Sequence, residues 1–208
     1  LLQLDALDAA DSLLADLSVD PESREALHLQ LFRGERAEHQ GDYEAALAEL
    51  ERALWKASHV EDHAVRVTAA AALGRVTGVE QLDLEGALAW LRHGESSSHA
   101  AQRPLSILAS KVEVQRAHGH YTVAGEISAR MVVQAQNTDP RRQLFEAGAA
   151  LEVAKIELAQ GHAKAALERT EHASALRADV LGQSHPAVAE AQLVVAAVQL
   201  ARGQLDEA

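Results

Sequence analysis

The chain has 208 residues, of which 48% are hydrophobic and only 3% aromatic, and it contains no Cys. Its 43 Ala and 29 Leu favour an all-helical fold, while 31 Asp plus Glu against 19 Lys plus Arg leave a net charge of -12 that argues against a polyanionic nucleic acid partner. The lack of Cys removes any disulfide or thiolate-metal framework and suits a cytoplasmic setting, and the longest apolar run, Leu193 to Val198, is far short of the about 18 residues of a membrane span.

In chain order, the first predicted helix covers 2 to 18, with Leu7, Ala10, Leu14 and Leu17 at steps of three and four that place them in one stripe. The chain opens at Leu1 rather than Met, inside that stripe, which reads as an internal fragment whose bare ends would self-associate. A helix over 21 to 40 follows Pro21, with Asp20 as its cap, and ends at Gly41-Asp42-Tyr43. A second turn, Leu82-Asp83-Leu84, separates helices over 63 to 78 and 83 to 97, and Gly94 to Ser98 reads as a short linker. Helices over 101 to 118 and 121 to 136 flank Gly119-His120-Tyr121, and those over 140 to 160 and 163 to 180 flank Gly161-His162-Ala163. A last helix over 186 to 202 ends at Gly203-Gln204-Leu205. Each turn is followed by a small residue at a fixed offset: Ala46, Ala87, Ala124, Ala166 and Ala208. The turns stand 41, 37, 42 and 42 residues apart, which predicts a helix, a tight turn and a second helix, repeated.

Gly34, Gly41-Asp42-Tyr43, Ala46, Leu50 and Ala53 together resemble the tetratricopeptide repeat. The longer period, and the junction Leu181-Gly182-Gln183-Ser184-His185-Pro186-Ala187-Val188-Ala189, are similar to the kinesin light chain type. The resemblance implies an all-α, right-handed superhelical solenoid of about four and a half helix pairs in a single array. Its segments are a partial repeat or capping helix over 1–20, repeats over 21–60, 61–100, 101–138 and 139–182, and a truncated one over 183–208. Val76 to Gln81 with Glu85 to Trp90 resembles a segment in the repeat-bearing regions of bacterial Ser/Thr protein kinases. That implies a regulatory or docking region, the alternative being the ligand- or peptide-sensing region of a bacterial transcription regulator. Two departures stand out: Leu82 replaces the turn glycine, and Ser128 and Met131 stand where the pattern has bulkier and smaller residues.

No phosphate-cradling glycine loop, kinase signature or nucleophile elbow occurs, so no catalytic residue and no cofactor is expected in this chain. His59 and His63, four apart, and His118 and His120 lack a third ligand at metal spacing and read as solvated histidines. Trp55 and Trp90 sit in apolar stripes and read as filling between stacked pairs.

In such a solenoid the first helix of each pair lines the concave surface, where a protein or peptide partner lies. Carrying the register over puts His28, Leu31, Phe32, Glu35, Ala71, Arg75, Ala109, Glu113, Arg116, Leu151, Lys155, Leu158, Leu193 and Ala197 there. One equivalent position runs Glu35, Arg75, Glu113, Lys155, Ala197. These charges either read a peptide of mixed charge or satisfy one another between neighbouring pairs. Clamps for chaperone tails need Lys and Asn at positions held here by Leu31, Ala71 and Ala109, and by Glu35, Arg75 and Glu113, which disfavours that ligand.

Overall fold

The computed structural model describes residues 20, 23–98, 104–138 and 142–203. The helix expected over 2–18, the caps and starts assigned to Pro21, Asp139 and Pro140, and the segment after Gly203 lie outside the described residues. Among the described residues there are nine α-helices and no strand: α1 Arg24–Gln40, α2 Tyr43–His59, α3 His63–Arg75, α4 Leu84–Ser98, α5 Pro104–Ala117, α6 Tyr121–Thr138, α7 Arg142–Ala159, α8 Ala163–Leu181 and α9 Pro186–Ala201. The chain divides into two compact units, Leu1–Arg103 and Pro104–Ala208. The first holds α1 to α4 and the second α5 to α9.

Local chemistry fixes the helix starts. Ser23 caps α1 by accepting the Ala26 N–H at 3.1 Å, so that helix begins at Arg24 and not beside Asp20. Asp42, Asp62 and Asp83 do the same for α2, α3 and α4, accepting from the third residue on at 3.0 to 3.1 Å. Pro104 and Pro186 open α5 and α9, where a missing N–H leaves no bond unmade.

The turns behave as one class. Gly41, Gly119, Gly161 and Gly203 have φ between +74° and +82°, the left-handed region that ends a helix without a Cβ penalty. Leu82 occupies the corresponding place with φ +56°, so the backbone keeps the turn where the sequence lacks glycine.

Within each pair a small residue meets a large one. A Cβ added to Gly34 would lie 2.6 Å from Leu50 Cγ, and one added to Gly74 would lie 2.6 Å from Leu91 Cγ. Gly34 stands seven residues before its turn and Gly74 eight before Leu82. The extra residue is absorbed by a π-helical turn over Val76–Glu80, where the Gln81 N–H reaches back to the Val76 carbonyl at 3.2 Å. The phenol of Tyr43, at the start of α2, hydrogen-bonds the Glu80 carboxylate, which raises its pKa and ties the π turn to the neighbouring pair.

In the second unit the places of Gly34 and Leu50 are held by Val112 and Ser128, and then by Ala154 and Thr170. Val112, Ser128, Ala154 and Thr170 are all buried, so volume moves from one helix of the pair to the other. Ala46, Ala87, Ala124 and Ala166 are fully buried as the pattern requires.

Packing runs along the chain. In each unit a helix packs on its sequence neighbours, and first helices of successive pairs also touch: α1 with α3, α5 with α7, α7 with α9. That arrangement surrounds α3, which accordingly buries Val65, Val67 and every residue from Ala69 to Gly74. The linker expected over Gly94 to Ser98 is instead the last turn of α4, with Gly94, Ser97 and Ser98 buried. Small side chains there permit close packing, and burial overrides their preference for loops. No helix among the described residues is long and apolar enough to cross a membrane.

Candidate functional site

The residues expected on the first helices divide between the two units. In the first, His28 is largely exposed, with its Nε2 3.9 Å from an Asp62 oxygen, and Phe32 on the next turn is 39% exposed. Leu31 is almost buried and Ala71 fully so, which takes both out of any exposed surface. Glu35 is half-buried. Arg75 grips Glu38 with both ends of its guanidinium, Nε to Oε1 at 3.1 Å and Nη2 to Oε2 at 2.9 Å. That pair joins α1 to α3, so Arg75 is satisfied between neighbouring pairs by a carboxylate that the sequence reading passed over.

In the second unit, Ala109 packs against the core built from Leu105, Leu108, Val112 and Met131. Leu151, expected on the open face, is buried with Ala147, Ala173 and Ala191. Glu113 is half-buried. Arg116, Lys155 and Leu158 come together at an open cavity of about 460 Å³. Its apolar wall is Leu158 and Ala159 from α7 with Leu193, Val194 and Ala197 from α9, and its charged groups are Arg116, Lys155 and Glu190. Leu193 is 72% exposed, a large aliphatic side chain held in solvent beside that wall.

The electrostatics centre on Glu152. Its Oε2 accepts from Arg116 Nε at 3.2 Å and its Oε1 from Lys155 Nζ. Glu152 is itself buried, so one carboxylate is shared by two cations that still line the cavity. Counted from the turns, with the residue inserted at the π turn discounted, Arg116 and Lys155 hold the places that Glu38 and Arg75 hold in the first unit, so an ion pair there becomes a pair of cations here. Across the cavity Glu190 is held by Arg177, whose Nη1 donates to its Oε2 at 2.8 Å and to the Ala187 carbonyl at 2.6 Å.

Sequence reasoning missed Glu38, Glu152, Glu190, Ala159 and Val194. The signal existed: Glu38 and Glu152 lie one helical turn from the chosen Glu35 and Lys155, and Glu190, Val194 and Ala197 step by four and three along the face that holds Leu193. The histidine pairs show separate roles. His59 Nδ1 lies 2.7 Å from the Trp55 carbonyl, and His120 Nδ1 lies 2.8 Å from Gln115 Oε1. Among the described residues no three His, Cys, Asp or Glu side chains are grouped to hold a metal ion. Trp55 and Trp90 do meet across neighbouring pairs, with ring centroids 6.5 Å apart, although Trp55 is 48% exposed and not the buried filler expected.

The arrangement around Leu158 and Leu193 offers apolar contact area flanked by charges of both signs. No protein-family model, curated protein or solved structure matches the chain.

Proposed function

We propose that the chain is a non-catalytic scaffold of tetratricopeptide-like helix pairs, wound as a right-handed superhelix, that binds a protein or peptide. The observation that supports this is the cavity of the second unit: its walls come from the first helices of three consecutive pairs, and a strongly exposed Leu193 stands beside an otherwise apolar wall. Its volume falls within the roughly 300 to 1,000 Å³ of pockets that hold a ligand group. An apolar side chain of the partner packs between Leu158 and Leu193, and charges of both signs flank it, with Arg116 and Lys155 on one side and Glu190 on the other. Peptides selected on the wild-type protein from a random displayed library should lose binding to Leu193→Glu and to Lys155→Glu while helix content stays unchanged. Equal binding to all three proteins would place recognition elsewhere.

The resemblance of Val76 to Gln81 and Glu85 to Trp90 alone supports a wider setting, the regulatory or docking region of a bacterial, cytoplasmic Ser/Thr protein kinase. The alternative is the sensing region of a bacterial transcription regulator. The coding sequence on either side separates them, by a kinase catalytic domain in the one case and a helix-turn-helix or nucleotide-binding domain in the other.

A further inference from the structure

The first unit carries an aromatic cluster on its second helices, distinct from the cavity above. Trp55 of α2 meets Trp90 of α4 edge to face, and its ring centroid lies 5.4 Å from that of His93, one turn further along α4. His93 Nε2 is buried and has no hydrogen-bond partner. Beside it, Arg66 of α3 has its Nε buried without a partner, while its Nη2 donates to Ser96 Oγ at 3.1 Å. Ser96 Oγ in turn donates to the His93 carbonyl at 2.8 Å. The half-buried imidazole thus borders an indole and a guanidinium network.

We propose that His93 is a pH-sensitive latch: protonation of its imidazole parts it from Trp55 and opens the aromatic contact between α2 and α4 to solvent. A neutral ring tolerates this setting, because an unpaired imidazole nitrogen against an indole costs only the loss of one hydrogen bond. An imidazolium there would keep some attraction to the indole, but it would bring a second positive charge beside Arg66 and a buried donor with no acceptor, which drives the ring out to water. Burial, and then the charge of Arg66, hold the pKa of His93 below its ordinary 6.5. The sign follows. The closed contact is at full strength well above pH 6.5, where both states are neutral, and weakens as the pH falls through 6.5 and below, because the open state takes up the proton first.

The surrounding charges are of both signs. On α2, Arg52, Lys56 and His59 lie within about one turn of Trp55, and Glu51 one turn before it. On α3 stand His63 and Arg66, with Asp62 at the cap, and on α4 Arg92 and Glu95 flank His93. Asp62 is engaged by the Val65 N–H at 3.0 Å, and Glu49 rather than Glu51 takes Arg52, at 3.0 Å. Arg52, Lys56, Arg66 and Arg92 thus stand with Glu49, Glu51, Glu61, Asp62 and Glu95, and of these the charge that bears on His93 is that of Arg66, which works against a further positive charge.

The chain has two Trp, both in this cluster, so tryptophan fluorescence excited beyond the absorption of its two Tyr reports on the latch. Acrylamide quenching of the wild-type protein should increase reversibly between about pH 8 and about pH 5, with a midpoint below 6.5 and unchanged helical circular dichroism. His93→Gln should flatten that curve and Arg66→Met should move its midpoint upward. His59→Gln, which alters the other histidine beside Trp55, should leave it in place. If His93→Gln fails to fold, the Arg66→Met midpoint decides. A wild-type curve without pH dependence, a curve unchanged in His93→Gln, an Arg66→Met midpoint that stays put, or a midpoint that follows His59 would each overturn the proposal.

Discussion

The space where a Cβ would stand on Gly34 is taken by Leu50, whose Cγ is 2.6 Å from that point and whose backbone N is 3.1 Å from it. The corresponding residues of the second unit, Ala154 and Thr170, divide the volume more evenly. Gly34→Ala should therefore destabilise the chain, because about 1 to 3 kcal/mol of overpacking exceeds the about 1 kcal/mol that Ala gains over Gly inside a helix. Leu50→Ala alone leaves a cavity and should cost about 2 to 5 kcal/mol. Combined, the two should cost less than their sum by roughly 0.5 to 3 kcal/mol, since each relieves the other. Urea unfolding of the two single variants and the double variant measures the coupling, and simple additivity would mean that the helices do not cross there.

Leu82 gives the opposite kind of test. Its left-handed backbone costs a non-glycine residue about 1 to 2 kcal/mol, and its side chain is largely exposed, so little packing is lost on removing it. Leu82→Gly should stabilise the first unit by about 0.5 to 1 kcal/mol after the extra unfolded-state entropy of glycine is subtracted. A drop in the unfolding midpoint would show that Leu82 makes contacts worth more than the strain.

What was legible in the sequence follows from which signals are local. Glycine at 41, 119, 161 and 203 marks the turns because the αL backbone requires it, and the spacing alone placed the remaining turn at Leu82. The π turn at Val76–Glu80 was invisible, because one inserted residue is hidden in spacings that already range from 37 to 42. Gly94 to Ser98 misled because glycine and serine signal a loop by propensity, whereas here they form the last turn of α4 with Gly94, Ser97 and Ser98 buried. Of the groove residues expected from the register, Arg116, Lys155 and Leu158 line one cavity, while Leu151 and Ala71, expected on the open face, are buried. The carboxylates that engage Arg75 and Arg116 escape a charge row followed along one position, because Glu38 and Glu152 stand one turn away from it.

Ser128 and Thr170 occupy the same place in successive pairs and differ in one respect. The Thr170 hydroxyl is bonded to the Ala166 carbonyl at 3.0 Å and the Leu167 carbonyl at 2.9 Å, whereas Ser128 Oγ is buried with no partner. An unmade buried hydrogen bond costs about 1 to 3 kcal/mol, so Ser128→Ala should raise stability by about 1 kcal/mol. Thr170→Val, which keeps the volume and removes the bonded hydroxyl, should lower it by a similar amount. Thermal unfolding of both variants checks the contrast, and a loss in Ser128→Ala would mean the hydroxyl has an acceptor after all.

The binding face is tested most directly by amide hydrogen exchange of the chain with and without a peptide selected on it. Slowed exchange is expected in α5, α7 and α9 around Arg116, Lys155 to Ala159 and Glu190 to Ala197, the stretches that form the cavity. Protection confined to α6 and α8, with those three stretches unchanged, would contradict a binding site on the first helices of the second unit.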